Sequence, residues 1–211
     1  CVSLVKELEA ALCANQLLII DDVPAWIVQP EAPIPTHDII PCSNGFLRIS
    51  TREVIPATPQ LFITASLDFP VPDNPPEPAE WKRFLAGVWP DDQGSINTLS
   101  EAIGYMLTDA TDQQKAFMLV GPKRSGKGTI LRIIEAIVGR HNKVSPSFNS
   151  LGSQFGLAPL VGKRIAMISD ARLSHRADQA SITENILRIT GEDSVSVDRK
   201  FKEPWNGKLP T

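Results

Sequence analysis

Between Gly121 and Thr129 the chain reads Gly-Pro-Lys-Arg-Ser-Gly-Lys-Gly-Thr, a glycine, four residues, and then Gly126-Lys127. That spacing is the layout of a phosphate-binding loop. Its glycines let backbone N–H groups turn inward around a β-phosphate, so Gly121, Pro122, Lys123, Arg124, Ser125 and Gly126 would form the cradle. Lys127 would reach β and γ oxygens as a point charge, and a following helix would add its positive end. The hydroxyl that normally follows the lysine holds Mg²⁺. Here Gly128 takes that position and the hydroxyl comes one residue later, which makes Thr129 the candidate magnesium ligand. A plainer reading is a glycine turn before a helix with its lysines in solvent. The apolar run before the loop and the helical spacing after it favour the cradle.

Hydrolysis at such a loop needs a carboxylate at the end of a neighbouring strand to hold Mg²⁺ through water, and often a second to polarise the attacking water. Asp170 ends the apolar run Ile165-Ala166-Met167-Ile168, 43 residues after Lys127, and fits the first role. Lys127 and Asp170 are therefore the candidate catalytic residues, Thr129 and Asp170 the candidate metal ligands, and ATP with Mg²⁺ the expected cofactors. Aspartate also favours ordinary strand-end turns. The second acid is missing, because Ala171 and Arg172 follow, so Glu184 or a residue outside this sequence would have to orient the water. Arg172 and Arg176 read as solvated surface residues. Ser174, His175 and Asp178 share only the composition of a triad, and His37 and His141 read as surface residues.

Asp198-Arg199-Lys200-Phe201-Lys202-Glu203-Pro204-Trp205 interleaves cations with aromatics. Lysine and arginine can neutralise phosphates while an aromatic ring stacks on bases or packs beneath a hairpin. An exposed basic strand has the same pattern.

These residues need elements to hold them. Phe117-Met118-Leu119-Val120 reads as a short strand into the loop, and Ile130, Leu131, Ile133, Ile134, Ile137 and Val138 as one helix after it, with Gly139 to end it. Ile165–Ile168 reads as a second buried strand, and Ile182, Ile186 and Ile189 mark a further helix. Alternating strand and helix imply an α/β fold with a mostly parallel sheet. Before the loop, Trp81, Phe84, Leu85, Val88 and Trp89 predict one helix. Ile96, Leu99, Ile103, Met106 and Leu107 predict another, with Thr98 and Glu101 at capping-box spacing. Of 18 prolines, 12 lie between Pro24 and Pro78, which confines strands there to short or edge positions. Within that stretch Asn44-Gly45 predicts a turn into Phe46–Ile49, with Val54-Ile55 as a partner. Leu4, Val5, Leu8, Ala11 and Leu12 keep helical spacing near the start. The expected division is an irregular lead-in over 1–76, a helical segment over 77–112 and a nucleotide-binding core over 113–211.

Composition bounds the rest. Hydrophobic residues make up 42% and charged residues 21%, an ordinary globular balance, and no apolar run approaches the roughly 18 residues of a membrane span. Formal charge is −3 overall, yet residues 1–112 carry 5 Lys and Arg against 16 acids, whereas residues 113–211 carry 16 against 8. A basic second half is what a polyanion partner calls for. Cys1, Cys13 and Cys42 include no Cys-x-x-Cys pair, which disfavours a disulfide framework or a zinc site and fits a reducing cytoplasm. Cys1 in place of Met reads as a cut edge.

The order of these motifs resembles the superfamily 3 helicases, specifically the phage and plasmid primase-helicase family that also has poxvirus members. Asn44-Gly45, Pro56-Ala57-Thr58-Pro59, Leu67-Asp68-Phe69 and Trp81-Lys82-Arg83-Phe84-Leu85 look like the segment leading into that ATPase, and the helix with Ile103-Gly104-Tyr105 precedes the loop as it does there. Gly162-Lys163-Arg164 into Asp170 resembles the second nucleotide motif. Leu187-Arg188, Gly191-Glu192-Asp193 and Arg199–Pro204 resemble the third. The likeness runs from about Asn44 to Thr211.

It implies a P-loop NTPase core of AAA+-like type and an ATPase that assembles as a homo-oligomeric ring, usually a hexamer. Such a ring translocates on single-stranded or forked DNA in the cytoplasm of a bacterial host. In that family the third motif forms a hairpin facing the channel, so Arg199, Lys200 and Lys202 become candidate DNA contacts, with Arg188 a weaker one. The sensor strand that follows in the family would begin near Leu209-Pro210-Thr211. Gly126-Lys127-Gly128-Thr129 alone also suits a small-molecule nucleotide kinase, and the incomplete acid pair suits a replication factor that binds ATP without turning it over.

Overall fold

A proline-rich lead-in cannot sustain long ladders, and its strands are correspondingly short. The structure is a computed structural model and describes residues 5, 7, 23–27, 33–108, 110–169 and 178–209. Strand β1 (Ala25–Trp26) pairs antiparallel with β5 (Leu61–Phe62), while β2 (Ile39–Cys42), β3 (Gly45–Arg48) and β4 (Val54–Ile55) form an antiparallel sheet in that order. The turn expected at Asn44-Gly45 lies one residue earlier, at Ser43-Asn44, with Gly45 pairing with Cys42 as the first residue of β3. Gly45 is required there, because a β-carbon would lie 2.4 Å from the carbonyl oxygen of Ile55. Asn44 also pairs with the backbone of Val71, donating from Nδ2 to its carbonyl at 2.9 Å and accepting its N–H at 3.0 Å. β2 buries both faces, Ile39 packing with Phe46 and Leu61 on one side and Ile40 with Cys42 and Leu67 on the other.

The expected helices follow. α1 (Ala79–Val88) and α2 (Gln93–Met106) turn Leu85 and Leu99 into one apolar cluster with Ile130, Ile134 and Val138 of α3 (Lys127–Val138). Gly139, at φ +90°, ends α3. The capping box does not form. Asp92 caps α2 instead, accepting from the Ser95 N–H at 3.0 Å and its hydroxyl at 2.6 Å, which leaves Thr98 and Glu101 inside the helix. α4 (Phe148–Leu151) and α5 (Gln179–Thr190) enclose a second cluster with β8 (Val195–Arg199) and β9 (Lys202–Gly207), built on Leu151, Leu160, Val195 and Val197. The N-terminal helix expected from Leu4 to Leu12 lies outside the described residues except at Val5 and Glu7.

The sheet corrects the expected fold class. Only β6 (Lys143–Val144) and β7 (Ile165–Ala166) run parallel among the described residues, over two residue pairs; every other described pairing is antiparallel. Phe117–Val120 is no strand, and Phe117, Met118 and Val120 are 44%, 76% and 84% exposed. The α/β P-loop NTPase (AAA+-like) core with a mostly parallel sheet is therefore not the architecture found. An apolar run advertises strand propensity, but a parallel ladder also needs neighbours delivered by crossover connections, and none reaches this segment among the described residues.

Candidate functional site

Residues 121–129 make a tight loop that opens into α3. Gly126 adopts φ +87°, a backbone state L side chains rarely take, and a β-carbon there would lie 2.9 Å from Cγ2 of Val88 and 3.0 Å from Cζ of Phe84. Glycine is therefore demanded twice, by the turn and by the face of α1 beneath it. Neither Phe84 nor Val88 was singled out for the loop from sequence, although their i, i+4 spacing places them side by side on that face.

The Lys127 ammonium folds back across the loop. It donates to the carbonyls of Gly121 at 2.8 Å and Pro122 at 2.6 Å and to the Ser125 hydroxyl at 3.1 Å. The first α3 amides that find acceptors are those of Thr129 and Ile130, both donating to the Gly126 carbonyl. Among the described residues, the N–H groups of Gly126, Lys127 and Gly128 meet no protein acceptor, as expected of a helix start. Three free donors, the positive end of the helix and a lysine thus meet in one turn, the set of groups that an anion would need. Lys123 and Arg124 are exposed on the rim of that turn, Arg124 at φ +64°.

Thr129 brings its hydroxyl to the same helix start. That oxygen accepts from the Arg132 guanidinium at 3.1 Å, a partner one turn along α3 that the sequence reading overlooked. Gly128 leaves open space beside it, with only the tip of Arg132 within 3.9 Å of a would-be β-carbon. Asp170, the other candidate metal ligand, lies outside the described residues, as do Arg172, Ser174, His175 and Arg176. Asp178 caps α5, accepting the Ser181 N–H at 3.1 Å and hydroxyl at 2.6 Å, and these bonds hold its carboxyl below its ordinary pKa. Glu184 is exposed on α5 and lines an open polar hollow of about 310 Å³ together with Ser153, Gln154, Asn185 and Asp198. His37 and His141 are exposed.

The basic tail is a hairpin. Val195 and Val197 of β8 are 1% and 2% exposed and anchor its root, with Trp205 of β9 packed on the same cluster. Arg199 pairs with Lys202 across a turn of Lys200 and Phe201. Arg199 donates from Nε at 3.0 Å and from a terminal nitrogen at 2.8 Å to the Glu203 carbonyl, which braces the turn. Lys200 and Lys202 are exposed. Arg188, at the end of α5, donates to the Ser194 carbonyl at 3.4 Å, below the start of β8. The four candidate contacts thus divide into two braces, Arg188 and Arg199, and two outward lysines.

Loop and hairpin are joined through the segment before the loop. Thr111 donates its hydroxyl hydrogen bond to the Glu192 carboxylate, and Gln114 donates to the Gly191 carbonyl at 3.3 Å, in the turn between α5 and β8. Among the described residues no helix is long and apolar enough to cross a membrane, and no group of three metal-ligating side chains converges. Residues 119–211, from the run before the loop through the hairpin, match the model of a family of unknown function (DUF5906).

Proposed function

We infer that this chain carries the ATP grip of an ATP-dependent DNA helicase of the primase-helicase type, serving phage or plasmid replication in the cytoplasm of a bacterial host. The observation that carries the reading is the loop itself: Lys127 inside a ring of Gly121, Pro122 and Ser125 acceptors, in front of the free amides of Gly126, Lys127 and Gly128. Those donors suit the phosphate chain of ATP, whose β and γ oxygens would replace the carbonyls now held by Lys127. Thr129 would offer its hydroxyl to Mg²⁺, with Asp170 as the partner carboxylate. Bound Mg²⁺ would neutralise charge on the transferred phosphate. The reading rests on loop, hairpin and charge, not on a parallel sheet.

DNA enters through Lys200 and Lys202, and a homo-oligomeric ring, usually a hexamer in the family the motifs resemble, would gather several hairpins around one strand. ATP hydrolysis measured with and without single-stranded DNA, on wild type and Lys127→Ala, tests the proposal. Stimulation by DNA that vanishes in K127A is the expected result. A rate indifferent to DNA overturns the helicase reading, and phosphate transfer to a nucleoside monophosphate replaces it with a nucleotide kinase. ATP binding without turnover replaces it with a non-hydrolysing replication factor.

A further inference from the structure

The hairpin tip is built against the usual economy of such turns. A two-residue turn that needs positive φ ordinarily takes glycine or asparagine, yet Phe201 sits there at φ +61° with 94% of its surface exposed. The ring contributes no burial, and the root of the hairpin is already held by Val195, Val197 and Trp205. Its backbone is strained and its apolar surface is left in water, both unfavourable to the isolated chain. Lysines flank it on both sides: the Lys200 ammonium lies 5.1 Å from the ring centroid, and Lys202 follows on the next strand. Arg199 fixes the turn through the Glu203 carbonyl, so the ring is carried on a braced support.

We propose that Phe201 is a stacking platform for an unpaired nucleobase, with Lys200 and Lys202 holding the phosphates of the same strand. An aromatic face recognises any base by stacking, and cations next to it track the backbone. In a duplex the base faces are already covered by their neighbours, so the platform selects single-stranded nucleic acid. This deepens the helicase reading and rests on it for the identity of the polymer.

The test is binding of the full chain to a labelled thymidine 30-mer and to an abasic strand of the same length and charge, using Phe201→Leu, Phe201→Ala and Phe201→Trp. Loss of one stacking contact weakens binding about tenfold. F201L and F201A should therefore weaken thymidine-strand binding by about tenfold, F201W should bind as wild type does, and the abasic strand should bind all variants alike. An exposed ring leaves folding intact, so urea midpoints should match wild type. If F201L binds thymidine strands as wild type does, or if abasic binding falls equally, the stacking assignment is overturned while the ATP reading stands. Wild-type chain that binds neither strand overturns both this assignment and the DNA side of the helicase reading.

Discussion

Gly126 lies against the ring of Phe84 with no room for a β-carbon, which would come 3.0 Å from Cζ, and the neighbouring Val88 methyl stands at 2.9 Å from the same point. The loop of residues 121–129 is thus seated on α1, and its shape depends on a helix some 40 residues earlier in the chain. Gly126→Ala should destabilise the fold by about 2–4 kcal/mol, adding left-handed strain at φ +87° to overpacking against Phe84 and Val88. Urea unfolding measures the loss. Val88→Ala in the same chain should recover part of it, because the double mutant removes one of the two clashes. A G126A protein as stable as wild type would mean that the loop is not seated on this face.

Lys127 makes its three contacts with a single ammonium: Gly121 and Pro122 carbonyls and the Ser125 hydroxyl, all within 3.1 Å. Those contacts are made at a partly buried, solvent-reachable loop, so removing them should cost little stability. Lys127→Ala should raise the Kd for ATP at least about tenfold, since charge-assisted hydrogen bonds to phosphate are worth more than about 1.4 kcal/mol, while the urea midpoint stays near wild type. Lys127→Arg should fail to rescue, because a planar fork cannot occupy a cradle shaped around a compact head. Equilibrium titration with a fluorescent ATP analogue reads both variants. An unchanged Kd for K127A would remove the nucleotide reading altogether.

Local signals were legible wherever one element satisfies itself. Leu85, Ile130, Ile134 and Ile182 follow helical spacing and become the buried stripes of α1, α3 and α5; Gly139 stops α3; the hairpin expected at Asn44-Gly45 forms with its turn one residue earlier and Gly45 opening β3. The start of α2 was misread because Thr98 and Glu101 match a capping box in spacing alone. Asp92 and Ser95 offer a competing cap six residues earlier, and Ile96, which precedes Thr98, is already inside the helix they start. Pairing between distant segments was not legible. Phe117–Val120 has the composition of a buried strand, but what a strand pairs with is a property of the rest of the chain, and here only Leu119 packs on the helical core while Phe117, Met118 and Val120 are exposed. The loop motif could be read from nine residues; that Arg132 caps the Thr129 hydroxyl, and that Phe84 and Val88 floor the loop, depends on contacts that spacing within the motif does not encode.

Asp38 gives the lead-in sheet an acid-sensitive joint. The Ser50 hydroxyl donates to it at 2.7 Å, the Arg48 guanidinium at 2.9 Å and the Ser50 N–H at 2.7 Å, and these bonds bring its pKa from 3.8 down to about 2. A carboxyl depressed on folding stabilises the folded state above its unfolded pKa and loses that contribution as pH falls through the folded value. Stability should therefore decline between about pH 4 and pH 2. Asp38→Asn should flatten that part of the profile. Urea midpoints taken at pH 7, 4 and 2.5 give the comparison, and equal slopes for wild type and D38N would show that Asp38 does not set the acid limb.

Asn142 ties the helical core to the lead-in. It is 6% exposed, and its amide donates to the Val138 carbonyl at 2.8 Å, at the end of α3, and to the Ser66 carbonyl at 2.9 Å, across 76 residues of chain. Its backbone carbonyl accepts the backbone N–H of Arg164 at 2.8 Å, next to β7. One side chain therefore holds the C-terminus of α3, the helix whose other end carries Lys127, to the segment that follows the small sheets. Asn142→Leu keeps the volume but leaves two acceptors without their donor, at a cost of about 2–3 kcal/mol. Asn142→Asp should cost more at pH 7, because a carboxylate has no proton to donate and would be buried near the Asp68 carboxylate, which lies beside Gly139 on the same corner. Lowering the pH should narrow the gap between the two variants as the new carboxyl regains a donor. Urea unfolding of N142L and N142D at pH 7 and pH 5 reads both effects, and an N142D protein as stable as N142L at pH 7 would show that the Ser66 and Val138 bonds do not hold this corner together.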